Sequence, residues 1–410
     1  MFFSYYISDF CQGWDFLCPY SHSGTGPDHL TLSIDAVSLA FLSHQVTSPS
    51  AQQLGRRMYI LALRKMNTAL ECPRTAHEAT TLQTSLLLDI FEKIASPASR
   101  GEDARRAHID GALALVKLKG LEHFTDDAGL KVLTRLLLNA SVSYFSQGDP
   151  VSPEFHEVRE HVAQFTDTSD PKWKMSGIVL EVIDLTSGMR KGIIPREEGA
   201  RKCIELDKKL EQVSDDASPV WSYEREYISA DETGVRVLDD YYDVYSDRIT
   251  TQRWNVLRTI RILLCEEIVV SLATLDDSDS LLQSQRASTA AARTIQQVCA
   301  SVPQMTDCDG AAQHRLPQET IMGAFSQHRH TFSHLIDVYT LIYPLYTAYW
   351  SRKCTSVART WIIEQLDRVA EHFGIKEAKS VAEILRGSKD GLRVEPWEVY
   401  RLLGSYAFAA

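Results

Sequence analysis

From Glu78 to Ile94 the chain reads EATTLQTSLLLDIFEKI. Its apolar side chains recur three and four apart, the spacing that lines them along one face of a helix. The same period runs through Leu30–Leu42 and Ala51–Leu70, and Pro73 and Pro97 fall where such helices should stop. Outward from there, the pattern predicts helices over Ala104–Lys119, Ala128–Phe145, Glu154–Phe165, Trp173–Arg190, Glu197–Val213, Val235–Ala273 with one break near Thr250, Ser284–Ser301, Glu319–Ser351, Ser356–Phe373 and Lys376–Arg386. Alternating β-branched runs bounded by tight-turn dipeptides are nearly absent, so no sheet is expected. Thr274–Ser280 and Thr306–Gln313 read as surface loops. The expectation is an all-α fold, a single large multi-helix domain over residues 1–410.

Composition sets the outer bounds. With 410 residues, 44% hydrophobic and 24% charged, the chain is neither a disordered tail nor a collagen-like rod nor a small disulfide scaffold. A formal net charge of −11 argues against gripping duplex DNA unaided, because that needs Lys and Arg against phosphate. The eight cysteines are scattered, and the aromatic opening MFFSYYISDFCQGWDFLCPY is interrupted by Asp9 and Asp15 with no basic lead. Free thiols in a reducing, cytoplasmic setting are therefore expected. No uncharged apolar run reaches the roughly 18 residues of a membrane span.

The sharpest constellation is Asp239-Asp240-Tyr241-Tyr242-Asp243, a DDxxD sequence. On a helix, Asp239, Asp240 and Asp243 would share about 100° of arc and could hold Mg²⁺ against a diphosphate. The bland alternative is a solvated acidic face over buried tyrosines. A second metal motif would need an acid where Asn139-x3-Ser143-x3-Gln147 ends in Gln. Arg258 and Arg261, three apart with Trp254 alongside, could grip a leaving diphosphate or instead pair with Glu266 or Glu267. The aromatic run Tyr241, Tyr242, Tyr245, Trp254, Tyr339, Tyr343, Tyr346, Tyr349 and Trp350 would suit a carbocation pocket or a plain core. His328, His330 and His334, with Asp337, could share a metal, but no HExxH accompanies them. GxGxxG, Walker and GxSxG elements are absent.

The stretches HLTLSIDAVSLAFLSHQ, YILALRKMNTAL, TTLQTSLLLDIFEKI, HIDGALALVKLKG, WNVLRTIRILLCEEI and YPLYTAYWSRKCTSVARTWIIEQLDRVAEHFGIKEAKSVAEIL resemble the regulatory domain of fungal zinc-cluster transcription factors over His29–Leu385. That family reads DNA through a six-cysteine binuclear zinc cluster. In this sequence only Cys11 and Cys18 show an x6 gap, with no C-x2-C before them. The chain, with its DDYYD, is also similar to atypical fungal humulene synthases. That resemblance implies a sesquiterpene cyclase acting on farnesyl diphosphate with Mg²⁺, making a macrocycle such as α-humulene. Asp239, Asp240 and Asp243 would hold metal, and Arg258, Arg261 and Trp254 would serve catalysis. The missing DNA reader favours this cyclase, a prenyl diphosphate as partner and no nucleic acid, with a homodimer left open. The alternative is the ligand-sensing or dimerising domain of a zinc-cluster regulator.

Overall fold

The computed structural model describes residues 12–20, 26–45, 48–95, 102–228, 235–273, 277–308, 330–387 and 393–403. The architecture is all-α, with one small two-stranded sheet among the described residues where none was expected. The chain falls into two compact units. One comprises residues 1–168 with 400–410, and the other residues 169–399.

The first unit holds α1 (Asp28–Gln45), α2 (Pro49–Leu70), α3 (Pro73–Ala76), α4 (Ala79–Ala95), α5 (Glu102–Lys119), α6 (Asp127–Gln147) and α7 (Pro153–Ala163). Helix starts follow local chemistry: the Ser48, Asp126 and Ser152 side chains accept the Ala51, Gly129 and Phe155 amides. Pro49 and Pro153 then occupy the first turn, where no N–H is missed. Gly148 closes α6 at φ +70°, a left-handed cap that a β-carbon would strain.

Helix α4 is the centre of this unit, buried on every side from Thr80 to Ala95. A helix with no wet face must satisfy its polar side chains internally. Thr84 bonds His29 at 2.8 Å, and Ser85 donates to the His108 carbonyl at 2.9 Å. Lys93 and Asp89 pair at 2.7 Å, both essentially out of water. Asn139 of α6 completes the cluster. Its amide donates to Asp89 at 3.1 Å, and its carbonyl accepts Lys93 at 2.9 Å. Asn139, Ser143 and Gln147 are thus not an external motif; Asn139 and Ser143 are buried in the interior of this unit.

The second unit opens with α8 (Pro171–Arg190) and α9 (Arg196–Ala217). Strands β1 (Tyr223–Tyr227) and β2 (Tyr241–Tyr245) follow, paired antiparallel with Arg225 opposite Asp243. Next come α10 (Arg248–Leu272), α11 (Ser278–Ala300), α12 (Pro303–Thr306), α13 (Phe332–Tyr339), α14 (Ile342–Trp350), α15 (Ser356–His372) and α16 (Lys376–Gly387), and then α17 (Pro396–Leu402), which the boundary between the units divides at residue 400. The expected helix over Val235–Ala273 is corrected here. Residues 241–245 are a strand, and α10 begins only at Arg248, where the Asp247 carboxylate accepts the Thr250 amide at 2.8 Å. The physical reason is the run YYDVY, which places Asp243 and Tyr245 on one buried face at a period of two. Buried Glu266 of α10 accepts the Ser351 hydroxyl at 2.6 Å and the Arg352 amide at 2.8 Å, fixing the end of α14. No described helix is long and apolar enough to cross a membrane.

Removing one partner of a buried ion pair costs about 3–5 kcal/mol, whereas an exposed pair contributes under about 1 kcal/mol. Lys93→Met should therefore lower stability in urea melts by about 3 kcal/mol or more. Lys65→Met, which breaks the exposed pair with Asp28, should leave the midpoint nearly unchanged.

Candidate functional site

The polar interior of the second unit centres on Asp243, whose side chain has no exposure to solvent. From the opposite strand Arg225 approaches it with two N–H groups, Nε to Oδ1 at 2.9 Å and Nη2 to Oδ2 at 3.5 Å. Tyr245 donates its hydroxyl at 3.4 Å. On the other side lies Arg258 of α10, with Nη2 at 3.9 Å. Arg258 is only 2% exposed and donates from Nη1 to Asn255 at 3.1 Å. Its Nε makes no hydrogen bond, and Nη2 faces the Asp243 carboxylate at ion-pair rather than hydrogen-bond distance. The rings of Tyr223, Tyr245 and Trp254 stand 5.6 to 5.8 Å from the guanidinium carbon. Their π faces carry the negative lobe of the quadrupole, so the box suits a buried cation.

The surrounding elements hold this box in place. Trp254 donates its indole N–H to the Trp221 carbonyl at 2.7 Å. The Gln304 side chain accepts the Tyr245 amide and donates to the Tyr245 carbonyl, both at 2.8 Å, so one amide from α12 acts as a third strand. Asn255 and Ser301 bond each other twice, at 2.9 and 3.2 Å. Burial raises the Tyr245 hydroxyl well above the ordinary phenol range, against the pull of Arg258. Beside the box, an open recess of about 450 Å³ is lined by Ser218, Ser222, Tyr223, Arg225 and Gln297.

The structure thus brings Asp243, Arg258 and Trp254 together, but not in the expected roles. Asp239 and Asp240 are exposed in the turn before β2, while Asp243 faces inward. A strand cannot gather residues i, i+1 and i+4 on one face as a helix does, because adjacent side chains point to opposite sides. Asp243 is engaged by two arginines, so the DDYYD sequence does not form a convergent Mg²⁺ cluster. Arg261 turns away to α9, bonding Asp207 at 2.7 Å and Glu211 at 2.8 Å rather than Glu266 or Glu267. Tyr339, Tyr343 and Tyr346 are buried core. His328 lies outside the described residues. His334 and Asp337 do not join His330 in a three-ligand cluster; Asp337 pairs instead with Arg248 at 3.5 Å. Arg225 and Gln304 join the site although helical periodicity gives no sign of either. The signal for Arg225 was the matching run YEREY, an aromatic strand partner eighteen residues upstream.

Residues 2–172 match the family model of the fungal specific transcription factor domain. This stretch is similar to a transcription-factor regulatory domain. No curated protein and no solved structure matches the chain. The match corrects the terpene synthase, humulene and lyase descriptions, since the family it points to is a regulatory one. It begins ahead of α1 and ends at the first residues of α8, so the buried α4 and its Asp89–Lys93–Asn139 cluster lie inside it.

Two measurements follow from this geometry. Asp243→Asn removes the carboxylate between two guanidinium groups and should cost about 3 kcal/mol in unfolding free energy. Asp239→Asn, on the surface, should stay within about 0.5 kcal/mol of the parent.

Burial also pushes the Asp337 carboxyl up to about 6, more than Arg248 pulls it down. A carboxyl raised on folding contributes most stability below its unfolded pKa and loses it as pH rises through the folded value. Urea midpoints from pH 4 to pH 7 should therefore show Asp337→Asn gaining on the parent as pH rises toward about 6 and level above it.

Proposed function

We propose that the chain is the regulatory part of a fungal zinc-cluster transcription factor, a module that responds to a ligand or to a second copy of itself. The match of residues 2–172 to the fungal specific transcription factor domain carries this reading. Two further features support it. The 410 residues contain no six-cysteine array and carry a net charge of −11, so DNA contact would belong to another module. The chemistry-bearing side chains around Asp243 are committed to ion pairs and ring contacts, as in a scaffold. The recess beside Arg225, lined by hydroxyls, an amide and a guanidinium, fits a small polar effector better than a hydrocarbon chain.

The test is a fusion of the chain to an unrelated DNA-binding domain, read out by a reporter gene in yeast. A regulatory module should change reporter output, by roughly fivefold or more when its effector or its self-association is supplied. The purified chain alone should leave duplex DNA unshifted in a gel at physiological salt. An inert fusion, or sequence-specific retention of DNA by the chain alone at submicromolar concentration, would contradict the reading.

A further inference from the structure

Cys308, His330 and His372 converge although they come from three places in the second unit. Cys308 follows α12, His330 precedes α13, and His372 is the last residue of α15. The Cys308 sulfur lies 3.4 Å from His372 Nε2 and 4.0 Å from His330 Nδ1. One ligand atom from each residue lies within 4.8 Å of the other two. With Zn–S near 2.3 Å and Zn–N near 2.0–2.1 Å, sulfur and nitrogen in a tetrahedral site stand about 3.5 Å apart. The two sulfur–nitrogen distances already bracket that spacing.

Their positions are held by neighbouring contacts. The His330 ring packs over Phe373 at 4.1 Å and meets the His372 ring edge-on at 4.7 Å. Arg368, one turn before His372, donates to the Thr306 carbonyl at 3.3 Å, tying α15 to the segment that carries Cys308. The carboxylate of the adjoining Asp307 accepts the Arg236 amide at 3.1 Å. Cys308 and His372 thus come from segments tied to each other, and the His330 ring is held by Phe373 and His372. The donor set also selects the metal: one thiolate and two imidazoles suit zinc(II) or cobalt(II) and not the hard oxygen-seeking cations.

We propose that Cys308, His330 and His372 bind a single zinc(II) ion, with a water or other exchangeable donor in the fourth position. Binding deprotonates the Cys308 thiol, forms the Zn–S bond and releases one proton. His372 also lines an open recess of about 360 Å³ with Arg236, Glu364, Asp367, Arg368 and Glu371, which gives that fourth position access to solvent. The site differs in kind from a six-cysteine binuclear cluster, because it is a single ion inside the helical body. A ring plane, an ion and a helix terminus would then lock α12, α13 and α15 to one another.

The experiment uses the whole chain, stripped with a chelator and titrated with cobalt(II), then zinc(II). One equivalent of cobalt should bind with a near-ultraviolet thiolate-to-metal charge-transfer band, and zinc should abolish that band by displacement. Cys308→Ser should lose the band. His372 is exposed, so His372→Ala should keep the fold while weakening metal affinity by more than the roughly 10- to 100-fold that an outer-shell change costs. Replacing the exposed thiols Cys18 and Cys72 by Ser should change nothing. Absence of the charge-transfer band in the parent, or its persistence in both Cys308→Ser and His372→Ala, would overturn the proposal.

Discussion

A carboxylate taken out of water must be answered by cations at close range, and Asp243 shows how much of a fold that requirement can organise. Its burial calls for Arg225 from the facing strand and Arg258 from α10. Arg258, buried in turn, calls for the ring faces of Tyr223, Tyr245 and Trp254 and for the Asn255 oxygen. Asn255 then binds Ser301, at the C-cap of α11, and Tyr245 is held by Gln304 of α12. The two-stranded sheet exists because it delivers these groups from the correct sides. The first unit meets the same constraint with a smaller set, Asp89, Lys93 and Asn139 around a helix that has no wet face.

The helices were legible because burial imposes the 3.6-residue period on sequence, and caps such as Ser48-Pro49, Ser152-Pro153 and Asp170-Pro171 mark their starts. The hairpin was not. YYDVY is five residues long, and its partner YEREY pairs across a separation in sequence that periodicity does not register. Aspartates at i, i+1 and i+4 satisfy a helical arc by arithmetic whether or not a helix forms there. Arg258 and Arg261 illustrate a related limit. Three residues on a helix differ by about 60° around the axis, enough to send one arginine to the strands and the other to α9. Cys308, His330 and His372 are separated by 22 and 42 residues and form no motif a linear scan would recognise.

The charged and aromatic residues that resembled cyclase machinery serve the polar interior of the second helical unit. Buried ion pairs stabilise little compared with apolar packing, but they penalise any arrangement that leaves a charge unmatched. For the regulatory module proposed above, such a penalty would separate alternative packings sharply, so that a small binding energy could select between them. Recess, ion pair and ring box lie side by side along Tyr223 and Arg225, where a bound polar ligand would meet the outer partner of Asp243 first.

Asp243 and Arg258 act as one structural unit. A double-mutant cycle on unfolding free energy tests it most directly, using Asp243→Asn, Arg258→Met and the pair together. Strong coupling is expected, with the double variant at least about 1.5 kcal/mol more stable than the sum of the single losses implies. Single effects that add to within about 0.5 kcal/mol would contradict it.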